Sequence, residues 1–245
     1  MAAIYLVRHG QAGFNKLDYD QLSELGHQQG PLIGNSLSAR GIEAGIVIHG
    51  AMRRHRETME GAQKTWHAHG PVIEDSGFNE FDGDAIIAAA HLELKVPGFS
   101  NEGIASNNLV QKTALGIYLA KQENPNKAFQ ELFTMSVDRW ASGKYDDDYA
   151  ESWNQFTQRC CDALFHTIEQ AAGKDVVIFT SGGPITAIAK HCLGLDNEHA
   201  FKLNESLVNA GITKLLYNQQ GKISLASCNE QEQLISAGKR FLTFR

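Results

Sequence analysis

Two short stretches, far apart in the chain, concentrate the residues best suited to chemistry. Arg8-His9-Gly10 sets a guanidinium, an imidazole and a flexible residue side by side near the amino terminus. His49-Gly50-Ala51-Met52-Arg53-Arg54-His55-Arg56-Glu57-Thr58 holds three arginines and two histidines in ten residues, although the whole chain carries a formal net charge of -6. An arginine fork beside a histidine points to an anion, above all a phosphoryl group, because the planar guanidinium matches such oxygens two at a time. An acidic run, Gly77-Phe78-Asn79-Glu80-Phe81-Asp82-Gly83-Asp84, could supply the proton that a phosphate ester needs to leave as an alcohol. Glu80, Asp82 and Asp84 are all candidates for that proton. A fourth stretch, Thr180-Ser181-Gly182-Gly183-Pro184-Ile185, joins a hydroxyl to backbone amides at the start of a helix, a natural anion cradle.

The elements around these stretches explain how they could meet. Ile4 to Val7 is a short apolar run that suits a buried strand, and the Arg8-His9 pair stands at its carboxyl end. Ser23 can cap a helix with Glu24 in its first turn, and Leu25, Leu32, Ile33 and Leu37 fall on one face. Gly41 and Gly45 then return the chain to Ile46-Val47-Ile48, a strand that crossover logic makes parallel to the first. Val72 to Asp75 predicts a third strand, and Val176 to Phe179 a fourth that leads into Thr180-Ser181, with Pro184 suited to a helix's first turn. Each reactive stretch therefore sits where open α/β sheets place their ligands, outside the carboxyl ends of parallel strands.

The remaining segments are read as scaffold. Residues from about 85 to 150 predict a helical insertion over the site: Pro97-Gly98 and Ser100 to Asn108 read as loop, Phe129, Leu132, Phe133, Val137 and Trp140 recur at helical spacing, and Asp146 to Asp148 reads as a solvated turn. Trp153, Phe156, Cys160, Ala163, Leu164 and Ile168 mark another amphipathic helix, ended by Gly173. Ile212 to Tyr217 and Lys222 to Ala226 predict a hairpin at the sheet edge. Asn204 and Asn209 are taken as turn residues, His191 as a helix-face histidine, Arg53 and Arg56 as a solvated helix face, and the tail from Glu230 carries no recognisable signal.

The whole chain bounds these readings. Its 245 residues suffice for one α/β domain bearing an insertion, and no apolar run approaches the roughly 18 residues of a membrane span. Four cysteines without CxxC spacing predict reduced thiols and no metal cluster, and the amino terminus shows no leader pattern, so a cytoplasmic protein is expected. The net negative charge argues against nucleic acid and anionic membranes as partners, leaving a small phosphorylated substrate or phosphate.

Several segments together resemble the histidine phosphatase superfamily, which includes the cofactor-dependent phosphoglycerate mutases. Arg8-His9-Gly10 with Asn15 follows the RHGxTxxN pattern, and Ser23, Gly26 and Gln29 follow LTxxGxxQA. Gly50, Met52, Arg54, Glu57 and Thr58 lie in register with SxLxRAxQT, which places His55 at a small-residue position. Glu80 stands at the acid of LNE, and Ser181-Gly182-Gly183 at the HGG of VxSHGGxI. The resemblance implies a three-layer α/β/α fold with a mainly parallel sheet, formed by one domain over 1–245.

It further implies a phosphohistidine on His9, oxygens held by Arg8, Arg54 and Asn15, and a cradle completed by Ser181 with the Gly182 and Gly183 amides. Glu80 would be the general acid, water would release phosphate, and neither metal nor other cofactor would be needed. A phosphatase is expected over a mutase, because no segment is recognisable as holding a phosphorylated intermediate away from water. Ser181 departs from the pattern, since a hydroxyl replaces the family's second histidine and forms a neutral bond roughly half as strong as a charged one. Three outcomes follow: a site that works with Ser181, a site in which His55 or His191 folds back to serve instead, or a protein that binds phosphate compounds without turnover.

Overall fold

Apolar β-branched runs separated by amphipathic helices build a single six-stranded sheet in the computed structural model, which describes residues 2–13, 20–94, 121–218 and 220–244. The strands are β1 (Ala2–Arg8), β2 (Ile46–His49), β3 (Val72–Glu74), β4 (Val176–Thr180), β5 (Ile212–Tyr217) and β6 (Ile223–Glu230), ordered β3-β2-β4-β1-β5-β6. β3, β2, β4 and β1 are parallel, while β5 pairs antiparallel with β1 and with β6. The parallel part is the expected one. The edge hairpin also forms, but its second strand continues to Glu230, beyond the expected Ala226.

Eight α-helices are seen among the described residues: α1 (Glu24–Ala39), α2 (Arg53–Gln63), α3 (Gly83–Leu94), α4 (Pro125–Ala141), α5 (Trp153–Ala171), α6 (Gly182–Leu193), α7 (Asn197–Ser206) and α8 (Glu232–Ala237). Successive strand residues point to opposite faces, so each strand feeds two cores. Tyr5, Val7, Val47, Val177 and Phe179 pack with Ile33 and Leu37 of α1 and with Met59 and Ala62 of α2. Ile4, Leu6, Ile48 and Ile178 pack on the other side with Leu164 and Ile168 of α5 and with Ile185 and Ile188 of α6. The result is the three-layer α/β/α arrangement. Leu234 of α8 and Phe241 belong to the first core, so the carboxyl-terminal tail is structural despite its featureless sequence.

The chain divides into two compact units, one formed by Met1–Glu80 with Thr157–Arg245 and the other by Phe81–Phe156. Within the second, Asn124 caps α4 by accepting from Lys127 N–H, and Trp140 packs against Phe81 (5.1 Å between ring centroids) and Trp153 (5.2 Å). Arg139 joins Asp148 at 2.6 Å and lies over the Tyr145 ring. The sequence's loop reading for Pro97-Gly98 and Ser100 to Asn108 lies outside the described residues. No helix among the described residues is long and apolar enough to cross a membrane.

The layer over the first core depends on small residues. Gly26, Gly30 and Gly34 of α1 recur every fourth position, and a Cβ built on Gly30 would stand 2.8 Å from Gly61 Cα on α2. A Cβ on Gly26 would meet the Gln11 carbonyl oxygen at 2.2 Å, so α1 also presses directly on the Arg8-His9 loop. Gly30→Val is expected to lower the unfolding free energy in urea by about 1–3 kcal/mol, as overpacking does. Asn35→Val, on the exposed face of the same helix, should stay within about 0.5 kcal/mol of the parent.

Candidate functional site

The carboxyl ends of β1, β2 and β4 bring three of the four reactive stretches together, and the Glu80 loop joins them at the start of α6. β1 extends by one bond beyond its last residue, His9 N–H donating to the Thr180 carbonyl at 2.8 Å. His9 is buried, and its Nδ1 lies 2.7 Å from the Gly10 carbonyl oxygen. A carbonyl only accepts, so Nδ1 carries the hydrogen and Nε2 keeps its lone pair. The loop is pinned from behind: Gly10 N–H donates to Thr58 Oγ1 at 3.0 Å, and Thr58 Oγ1 donates to the Arg54 carbonyl at 2.7 Å.

Burial, followed by the charges of Arg54 and Arg8 and by His55, holds the His9 pKa well below its ordinary value of 6.5. Desolvation and like charge both penalise the imidazolium, so the ring is neutral at pH 7. Arg8 donates through Nη1 to the Leu207 carbonyl, and its guanidinium carbon lies 3.6 Å from where a Cβ on Gly182 would stand. That same Cβ would be 2.6 Å from Asn204 Oδ1, so only glycine fits between Arg8 and α7 at the head of α6. Arg54, buried in the first turn of α2, donates to Asp20 Oδ1 at 2.8 Å and reaches Ser181 Oγ at 3.5 Å. Asp20 also accepts from Arg53 N–H through Oδ2 at 2.8 Å, so one carboxylate serves both the helix start and the buried guanidinium.

Ser181 is fully buried at the N-cap of α6, yet its side chain makes no capping bond. Its Oγ lies 2.6 Å from His55 Nε2 instead. His55 has no exposure, and its ring sits 5.8 Å from that of His9, centroid to centroid. Burial, then Arg54 and His49, depresses the His55 pKa well below 6.5 too. Glu80 accepts from Gly183 N–H through Oε2 at 3.2 Å, which ties the acid loop to the helix start. Behind that loop, Arg159 Nη1 donates to the carbonyls of Ser76, Gly77 and Asn79 at 3.1, 2.9 and 3.2 Å.

His9, Arg8, Arg54, Ser181, Gly182 and Glu80 thus belong to one neighbourhood. Asn15 lies outside the described residues. Asp82, in the second compact unit, caps α3 by accepting from Ala85 N–H at 3.0 Å. His191 does not fold back: it is exposed in the last turn of α6, about 15 Å along the helix from its start, with its ring edge on Phe165. Arg53 pairs with Glu57 and Arg56 with Glu60, as a solvated face requires.

The supporting roles of three residues escape a reading of the sequence, although Gln29 matches a family motif and Asn209 reads as a turn residue. Asp20 belongs to none of the motifs. Gln29, fully buried, accepts from Gln11 N–H at 2.7 Å and donates to the Phe241 carbonyl at 2.8 Å, so the reactive loop is tied to the tail. Asn209 is a buried brace rather than a simple turn residue: its backbone N–H donates to the Thr243 carbonyl at 2.7 Å, and Ala210 N–H donates to the His9 carbonyl at 3.1 Å. For His55 a signal did exist, its adjacency to Arg54 together with a serine where a histidine was due.

Neutral buried imidazoles leave a thermodynamic trace. Between the depressed native pKa and 6.5, the unfolded chain binds protons that the native state refuses, so stability falls as pH drops through that window. Urea unfolding should weaken from pH 7 to 5 with a slope of up to about 1.4 kcal/mol per pH unit for each such ring. His9→Gln should make the slope shallower; an unchanged slope would contradict a neutral His9.

Comparison with known proteins bears on the fold and the family. A family model described as histidine phosphatase superfamily (branch 1) matches residues 4–93 and 117–230. No curated protein matches the sequence. Among solved structures, a phosphoglycerate mutase from Bacillus anthracis str. Sterne is 17% identical with a TM-score of 0.62, covering 96% of this chain and 95% of its own. A phosphoserine phosphatase from Entamoeba histolytica is 19% identical at a TM-score of 0.60, covering 96% of this chain and 100% of its own. A mycobacterial glucosyl-3-phosphoglycerate phosphatase is 18% identical at 0.56, with 94% of this chain and 99% of its own covered. At such identities the structures speak for the shared fold, while the family model, matched over most of the sequence, decides membership: the chain belongs to the histidine phosphatase superfamily.

Proposed function

We propose that this protein hydrolyses small phosphate monoesters through a phosphohistidine on His9. One observation carries the proposal: a neutral imidazole, its Nδ1–H given to the Gly10 carbonyl and its Nε2 lone pair free of that bond, stands beside the buried Arg54 and the half-buried Arg8. In the first step Nε2 attacks phosphorus and the ester P–O bond breaks, while Glu80 gives its proton to the departing oxygen. In the second, water attacks phosphorus, the P–N bond breaks, and Glu80 takes the water's proton as phosphate leaves.

Arg8 and Arg54, with Asn15 and the Ser181 hydroxyl, are assigned to the equatorial oxygens, where charge spreads in the transition state. The Gly182 amide is assigned to the same cradle. Gly183 N–H, given to Glu80, serves to orient the acid. The scheme uses no metal or other cofactor. The Entamoeba phosphatase was solved with phosphoserine and with 3-phosphoglyceric acid, which supports a compact phosphorylated metabolite as substrate class. On this reading residues from about 85 to 150 are the insertion of a single phosphatase domain spanning 1–245, and the four cysteines, all thiols, support a cytoplasmic setting.

Purified protein should turn over 4-nitrophenyl phosphate, and His9→Ala should lower kcat on the order of 10³-fold or more. Mass spectrometry that avoids acid should find phosphate on His9 in the parent only. Equal rates for parent and His9→Ala would contradict the assignment, and rates at background in both would favour phosphate binding without turnover. Glu80→Gln should cost more with an alkyl phosphate than with the aryl ester, whose leaving group needs no proton, whereas Asp82→Asn should leave both rates near the parent's. A reversed ranking would make Asp82 the acid.

A further inference from the structure

The contact between His55 and Ser181 has no place in the scheme above. Two fully buried polar side chains from different elements, α2 and the head of α6, meet at 2.6 Å although they stand 126 positions apart in the sequence. Neither has a ready structural use. Ser181 gives up the capping bond that its position offers, and no carboxylate pairs with His55 among the described residues. The Nδ1 edge of His55 rests on Gly50, where a Cβ would stand 2.3 Å away, so the ring is steered until Nε2 points at the hydroxyl. The charged and titratable groups around it are Arg54 on its own helix, His49 at the end of β2 and His9 at the end of β1.

We infer that His55 acts through Ser181 as a proton and charge relay to the phosphoryl group, doing with two side chains what one histidine at the head of α6 would do alone. The inference rests on the phosphohistidine reading of this site. In the resting site the Ser181 hydroxyl donates to Nε2 of a neutral His55. A phosphate monoester arriving as its monoanion offsets the Arg54 charge that helps to keep the ring neutral in the empty site; the proton on its phosphoryl oxygen passes to Ser181 Oγ, and Ser181 passes its own to His55 Nε2. No heavy-atom bond changes, and the charge of -1 on the substrate becomes -2 beside a new imidazolium. Ser181 O–H then donates to the phosphoryl oxygen while His55 Nε2–H donates to Ser181 Oγ, so the bond to the oxyanion gains the strength of a charge-assisted one. When phosphate departs, the protons return by the same path. His55 is a positioning residue, since it touches the reacting oxygens only through the hydroxyl.

The test uses the full chain and 4-nitrophenyl phosphate, measuring kcat, KM and thermal unfolding for the parent, His55→Gln, His55→Ala, Ser181→Ala and the His55→Gln/Ser181→Ala double variant. A relay predicts that each single change lowers kcat about 10²-fold, the size of a lost oxyanion donor. KM should move by less than about threefold, and the double variant should be no slower than the slower single one, because a broken relay cannot be broken twice. A swapped variant guards against misfolding: His55→Ala with Ser181→His moves the imidazole across the hydrogen bond at nearly constant volume and should recover about tenfold or more over His55→Ala. His55→Gln at the parent's rate, losses that multiply in the double variant, or a folded but unrescued swap would each overturn the relay. Turnover that depends on His9 yet ignores His55→Gln defeats the relay alone. Absent turnover, or turnover that survives His9→Ala, removes both proposals.

Discussion

The site is built around an electrostatic conflict: the buried Arg54 and the half-buried Arg8 share one neighbourhood with two buried imidazoles. Arg54 is 5% exposed, His9 7% and His55 not at all, and arginine cannot shed its charge. Burial first, and the arginine charge after it, holds both imidazoles neutral. Holding the cations in place demands partners, and the fold supplies them. Arg54 has the Asp20 carboxylate and Arg8 the Leu207 carbonyl, and the arginines remain able to attract an oxyanion. Guanidinium groups gathered around a neutral buried imidazole are the arrangement that receives an anion.

The structure behind that cluster holds it in place. The Arg8-His9 loop is clamped on four sides: by the Thr180 carbonyl on β4, by Thr58 on α2, by Gln29 on α1 and by the turn through Ala210. The close approach of α1 through Gly26 and Gly30 makes the clamp rigid, since main-chain atoms there have no side chain to yield. On the opposite side Arg159 gathers three carbonyls of the acid loop, fixing where Glu80 meets Gly183. Reactive groups come from strand ends and helix starts, and the residues that brace them come from almost every other part of the same compact unit.

Local features were legible in the amino-acid order, and long-range side-chain partners were not. The strand at Ile4 to Val7, the Ser23 cap, the third strand at Val72 and the edge hairpin are each encoded within a few neighbouring residues, by apolar periodicity or by a capping hydroxyl. Gln29 reaching the Phe241 carbonyl across 212 residues has no local counterpart, because one buried amide looks in sequence like any polar residue on a helix. Asp20 is equally silent, and the tail from Glu230 hides its role because two apolar side chains, Leu234 and Phe241, suffice to dock it. Ser181 showed in sequence as an irregularity, and His55 as a second one. Only the folded chain places the two irregularities against each other.

The central claim is that His9 is a neutral ring with hydrogen on Nδ1 and an unshared pair on Nε2. Nitrogen-15 NMR of the histidine-labelled protein, with His9→Gln to assign the ring, reads both properties directly. The account predicts at pH 7 a protonated Nδ1 and a bare Nε2, persisting as the pH is lowered past 6.5. A doubly protonated ring at pH 7, or hydrogen on Nε2, would contradict it.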